Sequence, residues 1–264
     1  MLLGVFIVAA LFLDSAEGNV CLLKCKDNYM NRMSREMREA AGEWAMEMVT
    51  PLQALLHDGQ QGRLRRRLNR VCSFNHEYLQ CMDACEEGAA AGREILKDGQ
   101  ETWRIVCGTF YNASDHDFHR EILPCWEQRG QEIAFKCSRA ASSLQADSNH
   151  LMSAGIESVD GNLDGFCRTA SYYDQCFAAR NFEYCGAAAT RFIVHLTHQT
   201  SNKLIDLLDR TVKLSPLPSS CKDWMNPSAF SRKLYHRRSM GTSEWTTLSA
   251  VASVLTAYLL HNFQ

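Results

Sequence analysis

Apolar residues along this chain recur at helical rather than strand spacing. Between Asn28 and Leu56 they fall at Met33, Met37, Trp44, Met48 and Leu52, four or seven residues apart, which puts them on one helix face. Between Ala187 and Lys213 the positions Ile193, Leu196, Leu204, Leu207 and Val212 repeat the pattern. Alternating β-branched runs, the mark of half-buried strands, are nearly absent. The five prolines leave long stretches rich in Ala, Leu, Glu, Arg and Met, all strong helix formers. The pattern predicts an all-α protein. Turn-forming residues predict loops at His57–Gly62, Asn112–Asp117, Asp160–Gly165 and Pro216–Ser220.

The two ends depart from this amphipathic pattern. Leu2 to Leu13 is an almost unbroken apolar run, about as long as a signal-peptide core and too short to span a bilayer. Ala16 and Gly18 complete a small-x-small cleavage pattern before Asn19. Residues 1–18 therefore read as a signal peptide. Leu248 to Leu260 forms a milder apolar run behind the small residues Ser239 to Ser243. With Ser239 as the attachment residue, a spacer of about eight residues leads to the tail, the layout of a GPI-anchor signal. The other reading of this tail is a terminal amphipathic helix.

The chain carries 12 cysteines, at 21, 25, 72, 81, 85, 107, 125, 137, 167, 176, 185 and 221. An even set behind an export signal predicts disulfides in an oxidising compartment. Zinc is the rival use, but no C-x2-C pair occurs and the spacings do not match a zinc knuckle. Lys plus Arg is 28 and Asp plus Glu is 30, two of which, Asp14 and Glu17, fall in the leader. A mature chain this close to neutral gives no global sign of nucleic-acid or anionic-membrane binding.

Cys72 and Cys81 enclose eight residues, as do Cys167 and Cys176, and Tyr78 and Gln80 match Tyr173 and Gln175 at an offset of 95. Six cysteines precede Cys125 and six start from it. This predicts two related six-cysteine halves, 19–110 and 111–225, followed by a linker and hydrophobic tail over 226–264. Cys21-x3-Cys25 and Cys81-x3-Cys85 form a twin pair. Residues i and i+4 share a helix face, so the spacing predicts two antiparallel helices stapled by bridges Cys21–Cys85 and Cys25–Cys81. The remaining connectivity stays open.

The block Cys72, Tyr78, Cys81 and Cys85, then Cys107, then Pro124-Cys125 and Cys137, resembles the nematode chondroitin proteoglycan 4-like domain. The likeness covers much of residues 21–185. It implies a secreted protein of eggshell, cuticle or matrix type. Chondroitin chains attach at Ser-Gly dipeptides, and this sequence contains none, so the resemblance does not extend to such chains. In overall plan the chain is also similar to the GDNF-receptor alpha family, which is helical, cysteine-rich and lipid-anchored.

Candidate sites outside the cysteines are few. Asn112-Ala113-Ser114 is the one N-glycosylation sequon without an intervening proline. Arg63-Leu64-Arg65-Arg66 has the R-x-R-R form of a secretory convertase site, which requires an exposed loop. With Arg67 and Arg70 the same stretch also reads as a sulfated-glycan patch or as a solvated helix face. His116 with His119, and His195 with His198, have metal-compatible spacing but no third ligand in sequence, and read as surface residues. No G-x-S-x-G, H-E-x-x-H, phosphate-cradling or dinucleotide motif is present. Asp115 with Asp117 and Glu86 with Glu87 read as solvated acids.

The sequence thus predicts a secreted or cell-surface interaction or structural protein of extracellular-matrix type. It assigns no catalytic residue, cofactor or metal, and hence no enzyme. Expected partners are an extracellular protein or matrix glycan, not nucleic acid. The alternatives are a GPI-anchored ligand-binding co-receptor on the outer face of the plasma membrane and a convertase-processed secreted factor.

Overall fold

The computed structural model describes residues 18–37, 50–57, 62–85, 90–153, 159–212, 214 and 216–226. Residues 1–17 of the expected signal peptide, the tail and Ser239 lie outside them, as do Trp44, Met48, Glu86 and Glu87. Among the described residues there are nine α-helices, one π-helical turn and no strand. In chain order the helices are α1 (Gly18–Met37), α2 (Pro51–His57), α3 (Leu64–Asp83), α4 (Ala90–Asp98) and α5 (Glu101–Tyr111). The π turn (Phe118–Ile122) leads into α6 (Leu123–Lys136), α7 (Ser138–Ser153), α8 (Val159–Val212) and α9 (Ser219–Met225). None of them is long and apolar enough to cross a membrane.

Helix α8 is not a rod. Fifty-four straight helical residues would span about 81 Å, yet Phe166 and Leu204 line one small cavity. The chain folds back at Gly186, whose φ of 80° and ψ of −166° are non-helical. That backbone region belongs almost wholly to glycine. The arms 159–185 and 187–212 form a helical hairpin.

One expectation is corrected in the first arm. Asp160–Gly165 forms the opening turns of α8 and not a loop. Val159, Leu163 and Phe166 are buried at i, i+4 and i+7, and packing of that stripe outweighs the low helix propensity of Gly161 and Gly165. At the other predicted loops, Asn112–Asp115 is non-helical and residues 58–61 lie outside the description. The carboxylate of Asp115 caps the π turn, accepting the Phe118 N–H at 3.0 Å. Pro124 directly follows the π turn, whose last bond runs from the Leu123 N–H to the Phe118 carbonyl.

All twelve cysteines pair, and none is free. Cys21–Cys85 and Cys25–Cys81 staple α1 antiparallel to α3, as the twin spacing predicts, and Cys72–Cys107 ties α3 to α5. In the second set, Cys125–Cys185 and Cys137–Cys176 tie α6 and its end to the first arm of α8, and Cys167–Cys221 ties that arm to α9. Each set of six thus joins first to fifth, second to fourth and third to sixth, and no bridge crosses between the sets.

The likeness extends through the packing. At the offset of 95, α3 and α8 begin at equivalent positions, Leu64 and Val159. Leu68 and Leu163, Val71 and Phe166, Cys72 and Cys167, Tyr78 and Tyr173, and Met82 and Phe177 are all buried. A side-chain hydrogen bond recurs as well: Gln80 hydrogen-bonds the His76 ring at 3.0 Å, and Gln175 donates to Ser171 Oγ at 2.9 Å.

The core nevertheless runs through both sets. Helix α2 lies against α6, where Gly130 lets Leu56 approach so closely that a Cβ at 130 would meet its side chain at 3.1 Å. Gln53 Nε2 donates to the Ala134 carbonyl at 2.9 Å across the same contact. At the far end Arg210 bridges Asp98 of α4 and Asp206 of its own helix.

Candidate functional site

The hairpin of α8 brings two apolar stripes together. On the first arm, Phe166, Ala170, Tyr173, Asp174 and Phe177 lie at i, i+4, i+7, i+8 and i+11, one helix face. On the return arm Ile193, Leu196, Thr197, Thr200 and Leu204 follow nearly the same spacing. Both stripes line one cavity, closed by Leu144 and Ser148 of α7, Trp224 of α9, Thr102 of α5 and the start of α2. Its free volume is about 50 Å³, about a third of an apolar cavity that holds benzene.

Asp174 is the exception in this wall. It is 4% exposed and is the one acidic residue buried among the described residues. Trp224 Nε1 donates to its Oδ2 at 2.7 Å. Burial pushes its carboxyl up to about 7, and the indole hydrogen bond only partly opposes this. Burial also raises the Tyr173 phenol well above its usual value. Phe166 meets Trp224 edge-on at a centroid distance of 5.9 Å, and Tyr173 stacks on Phe177 at 5.8 Å. The hydroxyls of Ser148, Thr197 and Thr200 donate to carbonyls of their own helices. Towards the cavity they offer lone pairs.

The sequence reading missed Asp174 and Trp224. The available signal was an acid on the apolar face set by Phe166, Ala170 and Phe177. It also missed Arg67, grouped by composition with its basic neighbours. Arg67 is 3% exposed and donates to the carbonyls of Leu55 at 3.2 Å and Glu36 at 2.9 Å. Its Nε lies 3.5 Å from the Glu36 carboxylate.

The sites expected from sequence are scattered. Arg63 precedes α3, while Arg65 and Arg66 sit exposed in its first turn between buried Leu64 and Arg67. The convertase motif is therefore helical and not in a loop. Asn112 is exposed just after α5, and its Oδ1 accepts from Ser114 Oγ at 2.7 Å. His119 hydrogen-bonds the Asn112 carbonyl at 3.2 Å and packs against Phe118; His116 and His195 are exposed. Among the described residues, the group of metal-ligating atoms that converges is Cys21, Cys25 and Cys85, and all three are tied in disulfides.

Comparison of the chain with protein-family models, with curated proteins and with solved structures finds no match.

Proposed function

We propose that this chain is an exported protein that works outside the cell by binding, as a disulfide-stabilised interaction or structural component with no chemistry of its own. The observation that carries the reading is the pairing of all twelve cysteines. Bridges in such number form and persist in oxidising compartments and are rare in the cytosol. The apolar leader and the exposed Asn112 sequon point the same way. The likeness of the Cys72, Tyr78, Cys81 and Cys85 block to nematode chondroitin proteoglycan 4-like domains supports a matrix-type role.

Expression of the full chain in animal cells, with separate recovery of medium and cell surface, tests this. The reading expects mature protein beginning near Asn19 in one of those fractions, carrying a glycan that is lost in Asn112→Gln. Release of the surface form by a phosphatidylinositol-specific phospholipase, with the mass beyond Ser239 missing, identifies the lipid-anchored co-receptor. Protein in the medium with Gln264 intact identifies the soluble or matrix form. Retention in the cytosol with reduced cysteines would overturn both.

A further inference from the structure

The cavity in the α8 hairpin combines two features that belong together chemically. Phe166, Tyr173, Phe177 and Trp224 contribute aromatic rings to its wall, and Asp174 contributes a carboxyl. Ring faces attract organic cations, and a carboxylate supplies the opposite charge. A buried carboxyl is costly unless something pairs with it. Trp224 satisfies one oxygen, and among the described residues no second donor reaches this group.

The lining also selects against other ligands. No Lys, Arg or His lines the cavity, so an anion finds no counter-charge. Ser148, Thr197 and Thr200 have committed their protons to helix carbonyls. A donor therefore meets lone pairs, a carboxylate and ring faces, and the Thr102 and Tyr173 hydroxyls complete the polar lining. The free space, about a third of a cavity that holds the six heavy atoms of benzene, suits a molecule of about two or three heavy atoms.

We propose that this cavity is a binding site for a small organic ammonium ion with apolar substituents, its charge against Asp174 and its substituents against Phe166, Tyr173, Phe177 and Trp224. The site goes beyond the proposed function and stands whether or not the chain is exported. An alkylamine with a pKa near that of lysine, about 10.4, arrives as the cation. Near neutral pH Asp174 is partly protonated, so binding releases a fraction of a proton to solvent. Tyr173 is the other titratable group in the lining. Charged neighbours on the surrounding helices do not line the cavity: Glu101 and Arg104 of α5, Asp147 of α7, His195, His198 and Lys203 of α8, and Lys222 and Asp223 of α9.

Calorimetric titration of the full chain with ethylammonium chloride tests the assignment, with ethanol as the neutral molecule of the same size. At pH 8 the ammonium binds saturably at one site, and ethanol binds at least ten-fold more weakly. At pH 5.5, where Asp174 is largely protonated, the ammonium affinity falls at least ten-fold. Asp174→Asn keeps an acceptor for the Trp224 N–H and abolishes ammonium binding while its circular dichroism stays that of the parent. Equal binding of the two probes would reduce the cavity to an apolar hole, and equal affinity at both pH values would remove Asp174 as the counter-ion. No saturable binding of either probe would overturn the site. The two arms that use the unaltered chain decide the matter even where the variant fails to fold.

Discussion

Trp224 reaches across 50 residues of sequence to donate its indole N–H to Asp174 at 2.7 Å, close beside the Cys167–Cys221 bridge that ties α9 to α8. Without that contact the buried carboxyl would have no described partner. The pair links the end of the second six-cysteine set to the face of α8 that lines the cavity.

Asp174 makes stability depend on pH in a stated direction. Its pKa is raised in the folded chain to about 7 from 3.8, so between these values the folded state holds more proton than the unfolded one. Stability from this group then falls as pH rises from about 4 to about 7 and is flat beyond. The raised value sets an upper bound on the order of 4 kcal/mol. Urea unfolding at several pH values, compared with Asp174→Asn, should show this slope in the parent and its loss in the variant.

Gly186 carries the hairpin. A Cβ there would meet nothing within 4 Å, so the difficulty for any other residue is the backbone conformation itself. Gly186→Ala should destabilise the chain by about 1–3 kcal/mol, read from urea or thermal unfolding. Gly161→Ala has equal space and lies in regular helix. It should be neutral or stabilising, by up to about 1 kcal/mol.

The arginines of the R-x-R-R stretch should separate sharply. Arg67→Ala takes a donor from each of the Leu55 and Glu36 carbonyls, while Arg70 still holds the Glu36 carboxylate, and should cost about 1–3 kcal/mol. Arg65→Ala and Arg66→Ala, on exposed positions, should stay within about 0.5 kcal/mol. Because the scissile position lies in a helix flanked by buried Leu64 and Arg67, the folded chain should resist a basic-site convertase. Electrophoresis after digestion should show cleavage after Arg66 only once the chain is reduced and denatured.

Removing the third-to-sixth bridge should have similar effects in either set. Cys72→Ser with Cys107→Ser opens a separation of 35 residues, and Cys167→Ser with Cys221→Ser one of 54. Chain entropy separates these loops by only about 0.4 kcal/mol, within a typical loss of ~2–4 kcal/mol each. Since α2 packs on α6 through Leu56 and Gly130, calorimetry should show one unfolding transition for each variant, not two.

The all-α character was legible because helical periodicity is written locally, in stripes such as Ile193 to Val212. The twin staple was legible because i, i+4 cysteines on facing helices leave few ways to pair. Gly186 was not singled out, since a glycine within helical spacing gives no sign that the chain reverses there. Glycines at 161 and 165 misled for the opposite reason: burial of Val159, Leu163 and Phe166 outweighs their propensity. Asp174 and Arg67 were illegible because each takes its meaning from partners 50 and 31 residues away.

The most direct test of the account is non-reducing peptide mapping by mass spectrometry of the chain recovered from animal cells. The account predicts six linkages: Cys21–Cys85, Cys25–Cys81 and Cys72–Cys107, then Cys125–Cys185, Cys137–Cys176 and Cys167–Cys221. A bond joining any of the first six cysteines to any of the last six, or native thiols open to alkylation, would contradict it.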